Sequence, residues 1–143
     1  MYSERKPLIL YADDDTDDIE FVENAFKRGH PRVELLTFPD GFDLVQYLHT
    51  LPKDAEEPCL IIVDMNMPRF GAKMTIETIR KNERFSKTPI VIFTPSSYLE
   101  DLRYARERNV GFVTKPIDSA QMREITAQFI DYCHESIKTY LYS

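Results

Sequence analysis

The sequence has no tryptophan, four glycines, two cysteines and three histidines among 143 residues. Two cysteines are too few for a disulfide scaffold. Cys59 and Cys133 share no metal-ligand spacing and read as reduced thiols of the core. His30, His49 and His134 are scattered, and none pairs with a cysteine or another histidine as metal ligands do. Gly29, Gly41, Gly71 and Gly111 lie far apart, which leaves no glycine-rich phosphate loop. Cations are scarce too: 18 Lys and Arg against 24 Asp and Glu give 18 − 24 = −6. A chain with a pI near 5.1 lacks the basic face of a phosphate-backbone binder, so no nucleic-acid partner is expected. The longest strictly apolar run, Cys59–Val63, is far short of the ~20 residues of a membrane span. The opening Met-Tyr-Ser-Glu-Arg-Lys has no signal-peptide core, so no membrane and a cytoplasmic location are expected.

What is present is the profile of one soluble domain. Apolar residues make up 43% and charged residues 29%, too apolar for a disordered chain. A chain of this length buries roughly 68–70% of its unfolded surface and needs no staple to fold. Residues 1–143 are therefore expected to form a single domain, with a core over about 7–130.

Short apolar runs alternate with amphipathic stretches. The runs are Leu8–Tyr11, Val33–Phe38, Cys59–Val63, Ile90–Phe93 and Val110–Val113, and their starts are 25, 26, 31 and 20 residues apart. Nearly unbroken β-branched runs are how strands buried on both faces read, and each gap has room for one crossover helix. The pattern predicts an α/β fold of five βα units with a parallel sheet.

Helix signals fill the gaps. After Asp15 and Thr16, Ile19, Val22, Ala25 and Phe26 form an apolar stripe, stopped at Gly29 and Pro31. Pro39-Asp40 opens a second helix with Phe42, Val45 and Leu48 inward. Met74 to Arg84 fits a third around Ile76 and Ile79. Ser97, with Glu100 three residues later, is a capping box for a fourth. Asp118 or Ser119 starts the last, with Met122, Ile125, Phe129 and Cys133 inward, and an extended helix over about 118–141 is predicted. Ile137, Tyr140 and Leu141 would then be apolar beyond the domain edge, folded back or facing a partner. Leu51–Pro58 reads as a surface loop.

In an open parallel sheet, ligands bind beyond the carboxyl ends of the strands. Strand one ends in Asp13-Asp14-Asp15, strand three in Asp64, strand four in Thr94 and strand five in Thr114-Lys115-Pro116. Neighbouring strands are about 4.8 Å apart, so these groups can share one crevice. Clustered carboxylates repel unless a cation joins them, and oxygen-only ligands select a hard ion such as Mg²⁺. A carboxylate can attack a phosphoryl group, while a lysine and a threonine stabilise its oxygens. Asp17 and Asp18 read only as acids favouring a helix N-terminus.

At these residues the chain resembles a receiver domain of a two-component response regulator, of the CheY-like kind. The matching stretches are Leu-Ile-Leu-Tyr-Ala-Asp13-Asp14-Asp15, Ile-Ile-Val-Asp64-Met-Asn-Met-Pro68, Ile-Val-Ile-Phe-Thr94 and Gly-Phe112-Val-Thr-Lys115-Pro116. The resemblance implies a flavodoxin-like, doubly wound (βα)₅ sheet in the order 2-1-3-4-5. It implies Asp64 as acceptor of a phosphoryl group from a histidine kinase or phosphotransfer protein. Asp13, Asp14, Asp64 and the backbone carbonyl of Asn66 would hold Mg²⁺, and Thr94 and Lys115 would meet the phosphoryl group. Phe112 stands where the family keeps a rotating aromatic switch, although a core role fits a Phe there equally well. The protein would be a stand-alone phosphorelay switch rather than an enzyme, acting through protein contacts. These include an unknown downstream target and a homodimer through helix four, strand five and helix five.

Two departures stand out. Pro95 follows the switch threonine and has no N–H to offer a phosphate, so a weaker or shorter-lived phosphoryl state is expected. Gly71-Ala72 stands where many relatives have Asp-Gly, which points to a reshaped loop. Tyr98 and Tyr104, on helix four, read as surface aromatics or as part of a partner-binding face. Two rival functions stay open. A small Mg²⁺-dependent phosphatase of the haloacid dehalogenase type needs Asp-x-Asp-x-Thr or Val after strand one; Ala12 spoils that register by one residue. A receiver fold could also act as a binding module without phosphorylation, which Pro95 favours and the retained acids disfavour.

Overall fold

Five parallel strands form one sheet in the order β2-β1-β3-β4-β5. They are β1 (Leu8–Ala12), β2 (Glu34–Phe38), β3 (Leu60–Val63), β4 (Ile90–Thr94) and β5 (Gly111–Thr114). The helices are α1 (Thr16–Gly29), α2 (Gly41–Thr50), α3 (Ala72–Lys81), α4 (Leu99–Glu107), α5 (Ser119–Arg123) and α6 (Ile125–Ile130). The computed structural model describes residues 6–68, 70–95, 98–133, 137, 138 and 141.

Strand alternation splits the core in two. Leu8, Leu10, Ala12, Ile61, Val63, Ile90 and Ile92 face one layer with Leu44, Leu48, Ile76 and Ile79 of α2 and α3. Ile9, Tyr11, Leu60, Ile62, Val91 and Phe93 face the other, with Val22 and Phe26 of α1 and Ile125 and Phe129 of α6. Every residue of β1, β3 and β4 is buried, as a parallel strand covered on both sides must be. The expected order and crossovers are those observed.

Three helices, α1, α2 and α5, start from acidic caps. The Asp15 carboxylate accepts from the Asp17 and Asp18 amides at 2.9 and 3.2 Å, Asp40 from Asp43 at 2.9 Å and Asp118 from Ala120 at 2.6 Å. The expected Ser97 cap of α4 lies outside the described residues. In α2 the inward residues include Leu44, whereas Phe42 stays 42% exposed. Its ring turns instead to Phe70, in edge-to-face contact at 6.0 Å. The loop Leu51–Pro58 is held down by Arg84, whose guanidinium donates to the Leu51, Pro52 and Ala55 carbonyls.

The extended helix predicted over 118–141 is instead α5 and α6, interrupted at Glu124 and ending at Ile130. The apolar stripe of Met122, Ile125, Thr126, Phe129, Ile130 and Cys133 runs through the interruption in register, so both pieces cover the same core. Past Ile130 the helix tightens into a turn, in which the Tyr132 amide donates to the Phe129 carbonyl at 3.0 Å and the Cys133 amide to Ile130 at 2.9 Å. Tyr132 turns over the edge of β5, where its hydroxyl accepts from the Phe112 N–H at 3.4 Å and donates to the Phe112 carbonyl at 3.3 Å. Gly111 makes room for it: a Cβ there would lie 2.3 Å from the Tyr132 ring. The phenol thus covers part of an edge strand that would otherwise offer bare backbone groups. Residues 137, 138 and 141 are helical again, and Ile137 and Leu141 pack back on the domain's own core. Tyr140 lies outside the described residues.

Candidate functional site

The sheet's hydrogen-bond ladder runs one residue past the strands and sets the backbone of the acids and the lysine. The Asp13 amide donates to the Phe38 carbonyl at 3.0 Å, Asp64 to Ala12 at 3.0 Å and Lys115 to Thr94 at 2.7 Å. Three chemistry-bearing residues are therefore placed by backbone bonds rather than by loop packing. They stand where the strand order reverses between β1 and β3, the crevice in which doubly wound sheets bind ligands. Carboxylate oxygens of Asp13, Asp14 and Asp64 lie within 4.8 Å of one another. Asp13 and Asp64 are buried, whereas Asp14 is exposed.

Lys115 enters from the end of β5 as the counter-charge. Its ammonium is 2.8 Å from Asp13 Oδ2, 2.8 Å from Asp18 Oδ2 and 3.5 Å from Asp64 Oδ2. Three N–H groups thus face three carboxylates, at full hydrogen-bond distance for two of them. Burial opposes the Lys115 charge, but the bonds to Asp13 and Asp18 and the nearby anions outweigh it and raise its pKa. Asp13 is held further by the Asp15 amide at 2.9 Å and by the Tyr11 hydroxyl. Burial, and then the Asp13 charge, push the Tyr11 phenol far above its ordinary pKa, so it stays a proton donor to Asp13. Asp64 is pushed up to about 6, first by burial and next by the Asp13 charge, with Lys115 and the Asn66 amide pulling the other way. The Asn66 amide is 3.4 Å from Asp64 Oδ1. Thr94, fully buried, ends β4 beside Thr114 in the ladder.

A family model described as "Response regulator receiver domain" matches residues 9–127. The chain belongs to that family. Among curated relatives, response regulator Rcp1 of Synechocystis is 26% identical over 111 residues, covering 76% of each chain. The probable methanogenesis regulatory protein FilR2 of Methanothrix harundinacea is 25% identical over 129 residues, covering 87% of this chain and 82% of its own. The fold matches that of the phosphorylated cyanobacterial phytochrome response regulator RcpA, with a TM-score of 0.80 at 21% identity over 92% of this chain and 96% of the other. It also matches the Mn²⁺-bound form of Rcp1, with a TM-score of 0.77 at 22% identity over 88% and 93%. This receiver is thus a two-component signalling domain, and receivers in general are switches rather than enzymes. Nothing in the fold or these matches speaks for the phosphatase reading.

The receiver brings together Asp13, Asp14, Asp64 and Lys115 as the sequence led one to expect, with Thr94 ending the strand between β3 and β5. Asn66 is exposed beside Asp64. Phe112 is half-buried against the core of the α2 and α3 layer, with its backbone held by Tyr132. Asp18 corrects the sequence reading. Asp17 is only a first-turn acid, but Asp18, one residue further round α1, turns inward and pairs with Lys115. Its spacing gave a signal: Asp18 lies four residues before the stripe residue Val22, which is buried. In the loop before α3, Phe70 takes a left-handed backbone conformation with φ 105°. Tyr104 is no free surface aromatic, since its hydroxyl bonds Glu77 at 3.1 Å and ties α4 to α3. Tyr98 is 73% exposed. Among the described residues no helix is long and apolar enough to cross a membrane.

Proposed function

We propose that this receiver accepts a phosphoryl group on Asp64 from a phosphohistidine of a histidine kinase or phosphotransfer protein in the cytoplasm. The observation that carries this reading is the Asp64 carboxylate itself. It is buried at a strand end, beside two further acids and 3.5 Å from a lysine already fixed by other partners. Asp64 Oδ attacks phosphorus, the donor's N–P bond breaks, and the product is an acyl phosphate. Asp13, Asp14, Asp64 and the Asn66 backbone carbonyl would hold Mg²⁺, an all-oxygen set suited to a hard cation. When bound, that ion neutralises charge on the acids and on the transferring group. Lys115 keeps one N–H directed at Asp64 while Asp13 and Asp18 occupy the others, so it can meet a phosphoryl oxygen without being rebuilt. Thr94 supplies a hydroxyl from the next strand.

The signal leaves the site through β4 and β5. Lys115 and Thr94 share a backbone bond, and Phe112 lies on the strand that Lys115 ends. Holding the phosphoryl group in one arrangement of these residues shifts the population of the face built from α4, β5 and α5. That face would take a downstream protein or a second copy of the chain.

Intact mass after incubation with acetyl phosphate tests the reading. One added phosphoryl group that requires Mg²⁺ and is absent in Asp64→Asn is expected. No gain, with Mg²⁺ binding confirmed, would favour a binding module independent of phosphorylation. Pro95→Ala restores a backbone donor next to Thr94 and should lengthen the phosphoryl half-life about fivefold, the equivalent of one hydrogen bond of ~1 kcal/mol. A half-life no longer than wild type would remove Pro95 from the account.

A further inference from the structure

The chain's two cysteines are 74 residues apart in sequence, yet their sulfurs lie 3.8 Å from each other. Cys59 is half-buried immediately before β3, and Cys133 is buried three residues past α6. Both sit in the layer formed by α1 and α6, where Ile137 and Leu141 also pack. The five-residue step from Cys59 to Asp64 puts the pair about 16 Å from the acid cluster, so the phosphoryl chemistry does not use it. The two thiols meet where the turn after α6 reaches the amino end of β3.

We infer that Cys59 and Cys133 form a thiol–disulfide site, oxidised by a hydroperoxide, that fastens the segment after α6 to the base of β3. The sulfurs need to close by about 1.8 Å to reach bonding distance, a movement within reach of side-chain rotation. The Cys133 thiolate attacks the terminal oxygen of the hydroperoxide; the O–O bond breaks, leaving a sulfenic acid and an alcohol, or water from hydrogen peroxide itself. The Cys59 thiol then attacks the Cys133 sulfur. The S–O bond breaks as the S–S bond forms, and the departing hydroxide takes the Cys59 proton as water. Two thiols lose two electrons and the peroxide gains them. The assignment of Cys133 as first nucleophile has support in its surroundings. The contact with Cys59 holds its thiol below the ordinary value against the effect of burial, and Lys138 adds to this. The cross-link would fix the neighbour of Tyr132, the residue that covers Phe112 on β5. This inference does not depend on the phosphoacceptor reading.

The test is oxidation of the reduced full chain with hydrogen peroxide, followed by alkylation under denaturing conditions, intact mass and peptide mapping. A monomer lacking two hydrogens, unalkylated, with a Cys59–Cys133 peptide and reversal by dithiothreitol, is expected. Closure of the Cys133 sulfenic acid to the disulfide should be at least about tenfold faster than in the urea-unfolded chain, since the fold holds the partners together. Cys59→Ser should stop at a dimedone-trappable sulfenic acid on Cys133. Two alkylated cysteines at a peroxide excess that fully oxidises free cysteine would overturn the inference. So would disulfide-linked dimers alone, or a native rate no faster than the unfolded one. Because the wild-type chain carries the result, a misfolded variant does not blunt it.

Discussion

The two ends of the same sheet are built on opposite terms. At the amino end, β1, β3 and β4 are each entered close after a proline: Pro7, Pro58 and Pro89. Their carbonyls can still join the ladder, as Pro7 does with the Glu34 amide and Pro89 with the Ile61 amide. At the carboxyl end the ladder continues instead into Asp13, Asp64 and Lys115, and the crevice holds four acids against one ammonium. The charges near the first end, such as Lys6 and Glu34, are exposed. The other end keeps buried carboxylates together at a cost in stability that Lys115 offsets in part and that a bound cation would offset further. The strands supply rigidity to both, and the difference lies in what is hung from them.

The largest expected effect comes from removing the cation. Lys115→Met leaves the fully buried Asp13 facing Asp64 without its partner, and breaking such a pair costs about 3–5 kcal/mol. Urea unfolding in chelator should show that loss, with Mg²⁺ restoring part of it. Pro89→Ala, at the opposite end of the same layer of strands, should cost only about 0.4–1 kcal/mol, through greater freedom of the unfolded chain. Equal losses at the two ends would break the comparison.

Proton uptake gives the next largest. Burial and the Asp13 charge push Asp64 up to about 6, against 3.8 for an ordinary aspartate. The folded state therefore holds the proton more tightly than the unfolded one between those values. The ionised group destabilises the fold fully above pH 6, and that penalty is relieved as pH falls from about 6 to about 4. Two units correspond to at most about 3 kcal/mol. In chelator, Asp64→Asn should be more stable than wild type at pH 7, by about 1–3 kcal/mol, and the difference should shrink toward pH 4. A difference that is flat with pH, or of the opposite sign, would mean that the cluster is not strained by Asp64.

Most of this was legible in the sequence because the two signals involved are local and periodic. Nearly unbroken apolar runs marked the five strands, and the residues after four of them marked the site, since a parallel sheet puts those residues on one edge. Asp13, Asp14, Asp64 and Lys115 met on that account. What escaped depends on tertiary direction. Phe42 sits at a plausible helical position but turns to Phe70, whose backbone conformation no pattern announced. The helix predicted over 118–141 keeps its stripe yet stops after Ile130, where Tyr132 meets backbone groups of β5 that no local pattern pointed to. The contact between Cys59 and Cys133 follows from how α6 lies on the sheet, not from their spacing.

The smallest effect concerns the acid that came from a helix rather than a strand. Asp18 is the one carboxylate around Lys115 that the ladder does not place, and its side chain is 22% exposed. Water can replace much of what it contributes, so Asp18→Asn should cost under about 1 kcal/mol in stability. Its influence should show instead in where Lys115 points. With Asp18 gone, the ammonium keeps Asp13 and is free to close the 3.5 Å gap to Asp64, strengthening a resting pair that phosphorylation must break. Phosphorylation by acetyl phosphate should then slow in Asp18→Asn, while Asp18→Glu, which keeps the anion, should recover most of the rate. The apparent titration of Asp64, followed by its carboxyl carbon resonance in chelator, should move down as Lys115 approaches. An unchanged Asp64 titration together with an unchanged rate would return Asp18 to the role its position first suggested, one more acid at the start of α1.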